Sequence, residues 1–311
     1  MLPRNFTGPD SVCTYWLGYS GGVDSTALLP QLVALRAKTP FDLKAIHIEH
    51  DLNPKAAEWT DHCAAICREW KVDYVTEKIS VRANNGESIE ALARDLRYKK
   101  IAEHMNANDH LITAHHEDDQ AETILHRLMR GAGVLGLSGM REKRTFNEGF
   151  LIRPLLNVSR EEILEYANKH KLKWIHDESN ENTNFDRNLI RHKIMPVLQA
   201  RWPAAKKMLA RTGKHCTTAA TLLDDIAADD LVLVLKDEVT LLASELKKLS
   251  DARQKNVLRY FFKTHSLPMP SDIKLNHVIS DVIHSKWEAK PEVNWGNVSV
   301  TRTKNTITVT P

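Results

Sequence analysis

The apolar positions of this chain change period along its length, and the changes mark its elements. Four short apolar runs have the length and composition of buried strands: Tyr15 to Tyr19, Leu43 to Ile48, Val72 to Val75 and His110 to Ala114. Between them, Thr26 to Arg36, Glu58 to Trp70, Ser88 to Met105 and Asp118 to Arg130 carry apolar residues at helical spacing. In the first of these helices Ala27, Leu28, Leu32 and Leu35 fall on one face. Strands that alternate with helices of this length pair in parallel through crossovers, so the predicted fold class is α/β with a doubly wound parallel sheet. Ligands of such sheets sit at the carboxyl ends of the strands, where the loops after residues 19 and 114 should both open.

Gly131, Gly133, Gly136 and Gly139 crowd one short stretch, which is either a mobile loop over the site or a set of tight turns, the mobile loop being the expectation. Ser159 and Glu162 have the spacing of a reciprocal helix cap. Asp177 to Phe185 reads as a polar loop. A domain boundary is expected near Pro196 to Pro203, dividing residues 1–198 from a second, smaller and mainly helical domain at 199–311. That domain reads as helices to about Asp230, then mixed short elements, and ends in one alternating strand, Val298 to Val309.

With 311 residues, 42% hydrophobic and 27% charged, the composition is that of an ordinary globular protein. No apolar run approaches the roughly 18 to 20 residues that cross a bilayer, and Met1 to Tyr15 lacks the pattern of a secretory signal. The expectation is a cytoplasmic protein with no membrane partner. Cys13, Cys63, Cys67 and Cys216 are too scattered for a disulfide scaffold, and Cys63 and Cys67 read as buried neighbours on one helix face. The net charge is only +3, but it is unevenly spread. Between Arg187 and Lys214 lie Arg187, Arg191, Lys193, Arg201, Lys206, Lys207, Arg211 and Lys214 without one acidic residue. Such a block suits a polyanion such as nucleic acid, or simply a solvated helix face.

Ser20-Gly21-Gly22-Val23-Asp24-Ser25-Thr26 lies between a predicted strand and a predicted helix. Glycines let backbone approach a phosphate, and the helix start offers unpaired N–H groups and the positive end of its dipole. Ser20, Ser25 and Thr26 can add hydroxyl donors. Asp24 would repel a bare phosphate and makes sense as a ligand for phosphate-bound Mg²⁺. No Gly-Lys-Ser/Thr ending follows, which excludes the loop of γ-phosphate-cleaving NTPases. The segment resembles the loop of the N-type ATP pyrophosphatases, which cut ATP between its α and β phosphates. That resemblance implies an adenine nucleotide α-hydrolase-like sheet and binding of ATP by residues Ser20 to Thr26.

A second constellation runs His115-His116-Glu117-Asp118-Asp119-Gln120-Ala121-Glu122. Its carboxylates fall in the first turns of a helix, and Asp119 and Glu122, three apart, share a face. Such a pair can hold an ammonium group, bind Mg²⁺ or accept a proton. Helix capping would explain one or two of these acids. A metal hydrolase built on His115, His116 and Asp118 is a competing reading that leaves the phosphate loop without a purpose.

This segment and its continuation to Met140 resemble the tRNA(Ile)-lysidine synthetase family. So do His47-Ile48-Glu49-His50-Asp51-Leu52, Arg153-Pro154-Leu155-Leu156 with Ser159 to Ile163, and Asp177-Glu178-Ser179-Asn180 leading to Arg187, Asn188, Arg191 and Pro196. The resemblance implies a ligase with three substrates: ATP, free L-lysine and isoleucine tRNA with a CAU anticodon. The wobble cytidine would attack the α-phosphate of ATP, and the lysine side-chain amine would then displace AMP from C2 to leave lysidine. On that reading Asp24, His115, Asp119 and Glu122 are catalytic, Asp24 holds Mg²⁺, and Asp119 and Glu122 bind lysine. Arg97 would contact the nucleotide or the flipped base, although a surface arginine on an amphipathic helix reads the same way. Arg187 and Arg191 would contact phosphates, and Lys206 and Lys207 the tRNA. Oligomeric state stays open, a homodimer included. Some members carry a further C-terminal domain that grips the acceptor stem; 311 residues leave no obvious room for it, so a short form or a trimmed chain is expected. The rivals are a tRNA thiolase of the same superfamily, which would need a cysteine pair at the site, and a tRNA-binding protein without chemistry.

Overall fold

Tyr15, Trp16 and Leu17 are all nearly inaccessible, so the first strand is covered on both faces, as a parallel sheet requires. The structure, a computed structural model, describes residues 2, 6, 13–50, 55–81, 89–286, 288 and 290–310. Ser88, Asp51 and Leu52, which entered the sequence expectations, lie outside them.

The chain opens with β1 (Thr14–Gly18), α1 (Val23–Arg36), β2 (Asp42–His50), α2 (Ala56–Glu69), β3 (Asp73–Ile79), α3 (Ile89–Ala102), β4 (His110–Ile112) and α4 (Glu117–Met129). A short α5 (Val134–Leu137), a hairpin of β5 (Lys143–Phe146) and β6 (Gly149–Ile152), and α6 (Arg160–Lys169) follow. The strands form one sheet in the order β3-β2-β1-β4-β6-β5, parallel except for the edge strand β5. On one face Tyr15, Leu17, Leu43 and Ala45 pack with Leu28, Leu29 and Leu32 of α1 and Ile163 of α6. On the other, Trp16, Ile46, Ile48, Leu111 and Leu151 pack with Ile101 of α3. This is the expected doubly wound architecture. Cys63 and Cys67 are fully buried on α2, as their spacing suggested, and Ser159 and Glu162 form the reciprocal cap of α6.

The β5–β6 hairpin was not foreseen. Its turn places Asn147 at φ 51°, a left-handed conformation that asparagine tolerates, and Lys143-Arg144-Thr145 is too polar to announce a strand. The glycine-rich stretch is a set of hydrogen-bonded turns rather than the expected loose loop. Arg127 donates to the carbonyls of Gly136 and Gly139 at 2.8 Å each, and the Gln120 side chain exchanges hydrogen bonds with Met140 at 2.7 and 2.9 Å.

After a 3-10 turn at Glu178–Glu181 come α7 (Asp186–Leu189), a π-helical stretch Ile190–Ile194, α8 (Met195–Arg201) and the long α9 (Ala205–Val234). By contacts the chain separates into two compact units, residues 1–214 and 215–311. The second unit contains β7 (Leu235–Asp237), β8 (Thr240–Leu242), α10 (Ala243–Leu246), α11 (Asp251–Thr264), α12 (Asp272–His277), β9 (Glu292–Trp295), β10 (Val298–Thr303) and β11 (Thr306–Thr310). Its helices pack Val257, Phe261 and Phe262 against Val300, Ile307 and Val309 of an antiparallel sheet ordered β7-β8-β11-β10-β9. The expected single terminal strand is therefore the hairpin β10–β11, reversed where Lys304 adopts φ 53°. Among the described residues no helix is long and apolar enough to cross a membrane.

Asp109, 4% exposed, fastens the start of β4 to its surroundings: it accepts from the Thr14 N–H at 3.1 Å, the Trp16 indole at 3.1 Å and the Asn106 N–H at 2.9 Å. Asp109→Ala removes the acceptor of the buried Trp16 indole and of two part-buried backbone N–H groups, and should cost about 2–3 kcal/mol of stability, measured by chemical denaturation.

Candidate active site

Two loops leave the carboxyl edge of the sheet side by side, because β1 and β4 are hydrogen-bonded neighbours. The first is the glycine turn. Gly21 sits at φ 77°, and a Cβ there would lie 2.6 Å from Ile175 Cδ1 and 2.8 Å from Cys63 Sγ. Only glycine fits this close, left-handed position. The turn is held from behind: the Ile175 N–H donates to the Gly21 carbonyl at 2.9 Å, and His47 Nδ1 donates to the Tyr19 carbonyl at 2.9 Å. Gly22 is extended at the start of α1, and no side chain caps that helix. Its first N–H groups thus retain the positive end of the dipole. Ser20 is exposed, whereas the Thr26 hydroxyl is buried against Gly21 O and Tyr19 Oη at 3.3 and 3.2 Å. Val23 and Ser25 are buried too, and the Ser25 hydroxyl bonds to Ser20 Oγ at 3.1 Å. The hydroxyls of Ser25 and Thr26 therefore set the shape of the turn.

The second loop, residues 113–116, leads into the acidic helix α4. His116, only 2% exposed, joins the two loops: its Nε2 is 3.7 Å from Asp24 Oδ1 and 3.5 Å from Asp119 Oδ2. The Asp119 carboxylate also caps its own helix by accepting the His116 N–H at 3.1 Å. Burial raises the Asp24 carboxyl above its ordinary pKa; His116 opposes this and the Asp119 carboxylate adds to it. Burial would also raise Asp119, but His116, Arg187, His115 and Arg191 overcome it and hold that carboxyl well below the usual range. Burial lowers His115 to about 3, with Arg153, Arg187 and Arg94 contributing against the opposing pull of Asp119. Its imidazole is neutral at physiological pH, with Nδ1 2.8 Å from the Thr113 hydroxyl.

Asp119 and Glu122 do share a face, and two guanidinium groups cover it. Arg187 reaches Asp119 Oδ1 at 2.8 Å and Glu122 Oε2 at 3.1 Å. Arg191 takes both oxygens of Glu122 at 2.7 and 2.9 Å and touches Asp119 Oδ1 at 3.2 Å. These arginines, expected on phosphates, lie on the acidic pair. Lys206 pairs with Asp118, and Lys207 is exposed. Arg97 is exposed on α3, near enough to His47 to add to the lowering of its pKa by burial. Residues Asp118, Glu122, Arg160, Arg191, Met195 and Lys206 line a cavity of about 290 Å³ next to this network. The bridging role of His116 and the paired arginines escaped the sequence reading. The His115-His116 doublet was the available signal, but nothing in the sequence says which ring turns inward.

A glycine turn, an uncapped helix start and a carboxylate at one sheet edge define a nucleotide-binding protein of the PP-loop class. A family described as the PP-loop domain matches residues 4–198, and one described as the TilS substrate binding domain matches residues 241–308. The tRNA(Ile)-lysidine synthase of Coxiella burnetii (strain RSA 493 / Nine Mile phase I) is 40% identical over 302 residues, covering 97% of this chain and 67% of that protein. That of Proteus mirabilis (strain HI4320) is 38% identical over 297 residues, covering 95% and 67%. The chain belongs to the tRNA(Ile)-lysidine synthase family. Among solved structures, the U34-tRNA thiolase NcsA from Methanococcus maripaludis with its [4Fe-4S] cluster is similar in fold alone, with a TM-score of 0.54, 19% identity, and coverage of 69% of this chain and 74% of that one.

Two outcomes test this geometry. Gly21→Ala should destabilise the protein by about 1–3 kcal/mol, read by thermal unfolding. A histidine whose folded pKa lies below its unfolded value stabilises the fold fully above pH 6.5 and loses that contribution as the pH falls from there toward about 3. The fall in unfolding free energy between pH 7 and 4 should therefore be shallower in His115→Gln than in the unmodified protein.

Proposed function

We propose that this chain is an ATP-dependent ligase that adenylates the wobble cytidine of CAU-anticodon isoleucine tRNA and joins free lysine to C2, forming lysidine. The observation that carries the reading is the meeting of Asp24, His116 and Asp119 between two loops. It joins a phosphate-binding turn to an acidic site within one charge network, as a reaction needs when adenylation is followed by attack of a cationic amino acid.

In this reading residues 20–26 hold the phosphates of ATP through the backbone of the turn and the first N–H groups of α1. The buried Asp24 Oδ1 has no hydrogen-bond partner, only the His116 ring 3.7 Å away, and a hard carboxylate oxygen beside a phosphate site fits Mg²⁺. Among the described residues no group of three or more His, Cys, Asp or Glu side chains is arranged to hold a metal ion, so Asp24 is the side chain that would hold it. When bound, Mg²⁺ would supply charge neutralisation at the pyrophosphate leaving group.

Lysine arrives as an ammonium ion and must lose a proton before it attacks. Asp119 and Glu122 are the assigned ion-pair partners, reached from the cavity that Glu122 borders. Their oxygens already hold Arg187 and Arg191, so at least one guanidinium must yield an oxygen to the incoming ammonium. An arginine so released is placed to meet an RNA phosphate. His115 is neutral but held down to about 3 by burial and the neighbouring arginines, too weak a base to take the ammonium proton as the site stands. Residues 1–198 are assigned the chemistry and 199–311, with Lys206 and Lys207, a share of the grip on tRNA.

A thiolase is less well supported. The Cys63 and Cys67 thiols are fully buried and pushed up to about 12 by that burial, far from the reactive thiolate that sulfur transfer needs.

The test is mass spectrometry of the anticodon nucleosides after incubation with ATP, lysine and the CAU isoleucine tRNA. Lysidine should form with the unmodified protein and be reduced at least 100-fold in Asp24→Ala and Asp119→Ala, whose circular dichroism should remain that of a folded chain. Normal turnover by either variant overturns the assignment of that residue.

A further inference from the structure

On the far side of β4 from the phosphate loop, the sheet carries an aromatic pair among arginines. Tyr98 of α3 and Phe146 of β5 meet edge to face, with ring centroids 5.5 Å apart. Arg94, one helical turn before Tyr98, lies over its ring at 5.6 Å; Arg144, on the same face of β5 as Phe146, lies 5.6 Å from the Tyr98 ring and 5.8 Å from that of Phe146. Arg94 and Arg144 are exposed and both rings half-buried. Arg153, 2% exposed, lies beneath them beside Tyr98, bonded to the Arg141 carbonyl at 2.7 Å, with Nε lacking any partner. Among the described residues none of these three arginines forms an ion pair with a carboxylate. The buried Arg153 guanidinium keeps hydrogen bonds to the Arg141 carbonyl and to Tyr98, but it lies beside two exposed guanidinium groups of like charge, which an anion would offset.

Strand register fixes where this patch opens. Arg144 pairs with Leu151, and Leu151 with Leu111, so Arg144 is level with the middle of β4, four residues before His115, and Phe146, paired with Gly149, lies toward the amino end of that strand. Arg94 and Arg153 are also close enough to His115 to act on its charge.

Resting on the lysidine reading, we infer that Arg94, Tyr98, Arg144 and Phe146 form a second nucleotide subsite, which takes an unstacked RNA nucleotide flanking the modified base. Rings and guanidinium planes stack the base, and the exposed arginines hold its phosphate. A single-stranded loop is the matching partner, because bases within a duplex present no free face. The subsite explains how a loop is kept splayed while its neighbour sits at the phosphate turn, and it adds to the affinity without reading sequence.

The experiment measures equilibrium binding of CAU isoleucine tRNA across a salt series for the full chain and for Arg94→Ala, Arg144→Ala and Tyr98→Leu, with the KM for ATP determined alongside. Tyr98→Leu and Arg144→Ala should each weaken tRNA binding by about tenfold. Each arginine variant should reduce the slope of log affinity against log salt by about 0.7, with Tyr98→Leu leaving it unchanged. The KM for ATP should not move. Tyr98 borders the core, so Arg144→Ala, on the exposed edge strand, keeps the test independent of folding. 5-Iodouridine placed beside the CAU triplet should photocross-link to the peptide containing Tyr98 or Phe146. Unmodified tRNA affinity and salt slope in Arg144→Ala would overturn the inference while leaving the lysidine reading intact. So would a rise in the KM for ATP alone, which would assign the patch to adenine. Failure of the unmodified protein to bind tRNA would overturn both.

Discussion

Two helices begin at the same sheet edge with acids near their starts: Asp24 in the first turn of α1, and Asp119 in the first turn of α4 with Glu122 just beyond it. Helix dipoles favour negative charge there, but two such clusters a few ångströms apart repel one another. His116 between them, and Arg187 with Arg191 against α4, are what make the arrangement sustainable. The opposite shifts of Asp24 and Asp119 express this balance. Asp119 is surrounded by cations and stays ionised, while Asp24 has burial against it and no hydrogen-bond donor on Oδ1. The carboxylate left wanting a cation is the one nearest the phosphate turn.

That division of charge suits a reaction in two stages. On the proposed reading the α1 side would take the polyphosphate, and the α4 side would exchange contacts of its two guanidinium groups for an incoming ammonium. Because Arg187 and Arg191 come from α7 and the π-helical stretch, the state of the acidic pair is tied to a segment rich in basic residues and suited to RNA. Binding of the large substrate and admission of the small one can thus draw on the same two side chains.

Much of the framework was legible in the chain. Apolar runs without alternation announced strands buried on both faces, and the spacing of Cys63 and Cys67 announced a buried helical stripe. Tyr15 and Leu17 serve one core and Trp16 the other, a division that a continuous apolar run does not disclose. Edge strand β5 escaped notice because its exposed residues are polar and its pairing is set by the Asn147 turn. In the site, the glycine turn and the acidic helix could be named, since local chemistry demands those residue types. The partners of the acids could not, because Arg187 and Arg191 lie more than 60 residues away in sequence and their pairing is a property of tertiary packing.

The hydrogen bond from Ile175 to Gly21 bears on biosynthesis. The residue that braces the turn from behind is made about 150 positions after the turn itself. β1 and β2 can pair early, and His47, Ser25 and Thr26 already bond to the turn, but the hydrogen bond on the Gly21 carbonyl forms only once the chain beyond α6 has folded back. A truncated translation product that ends before this brace would therefore have much of the sheet but lack the bond and the Ile175 side chain that close over Gly21.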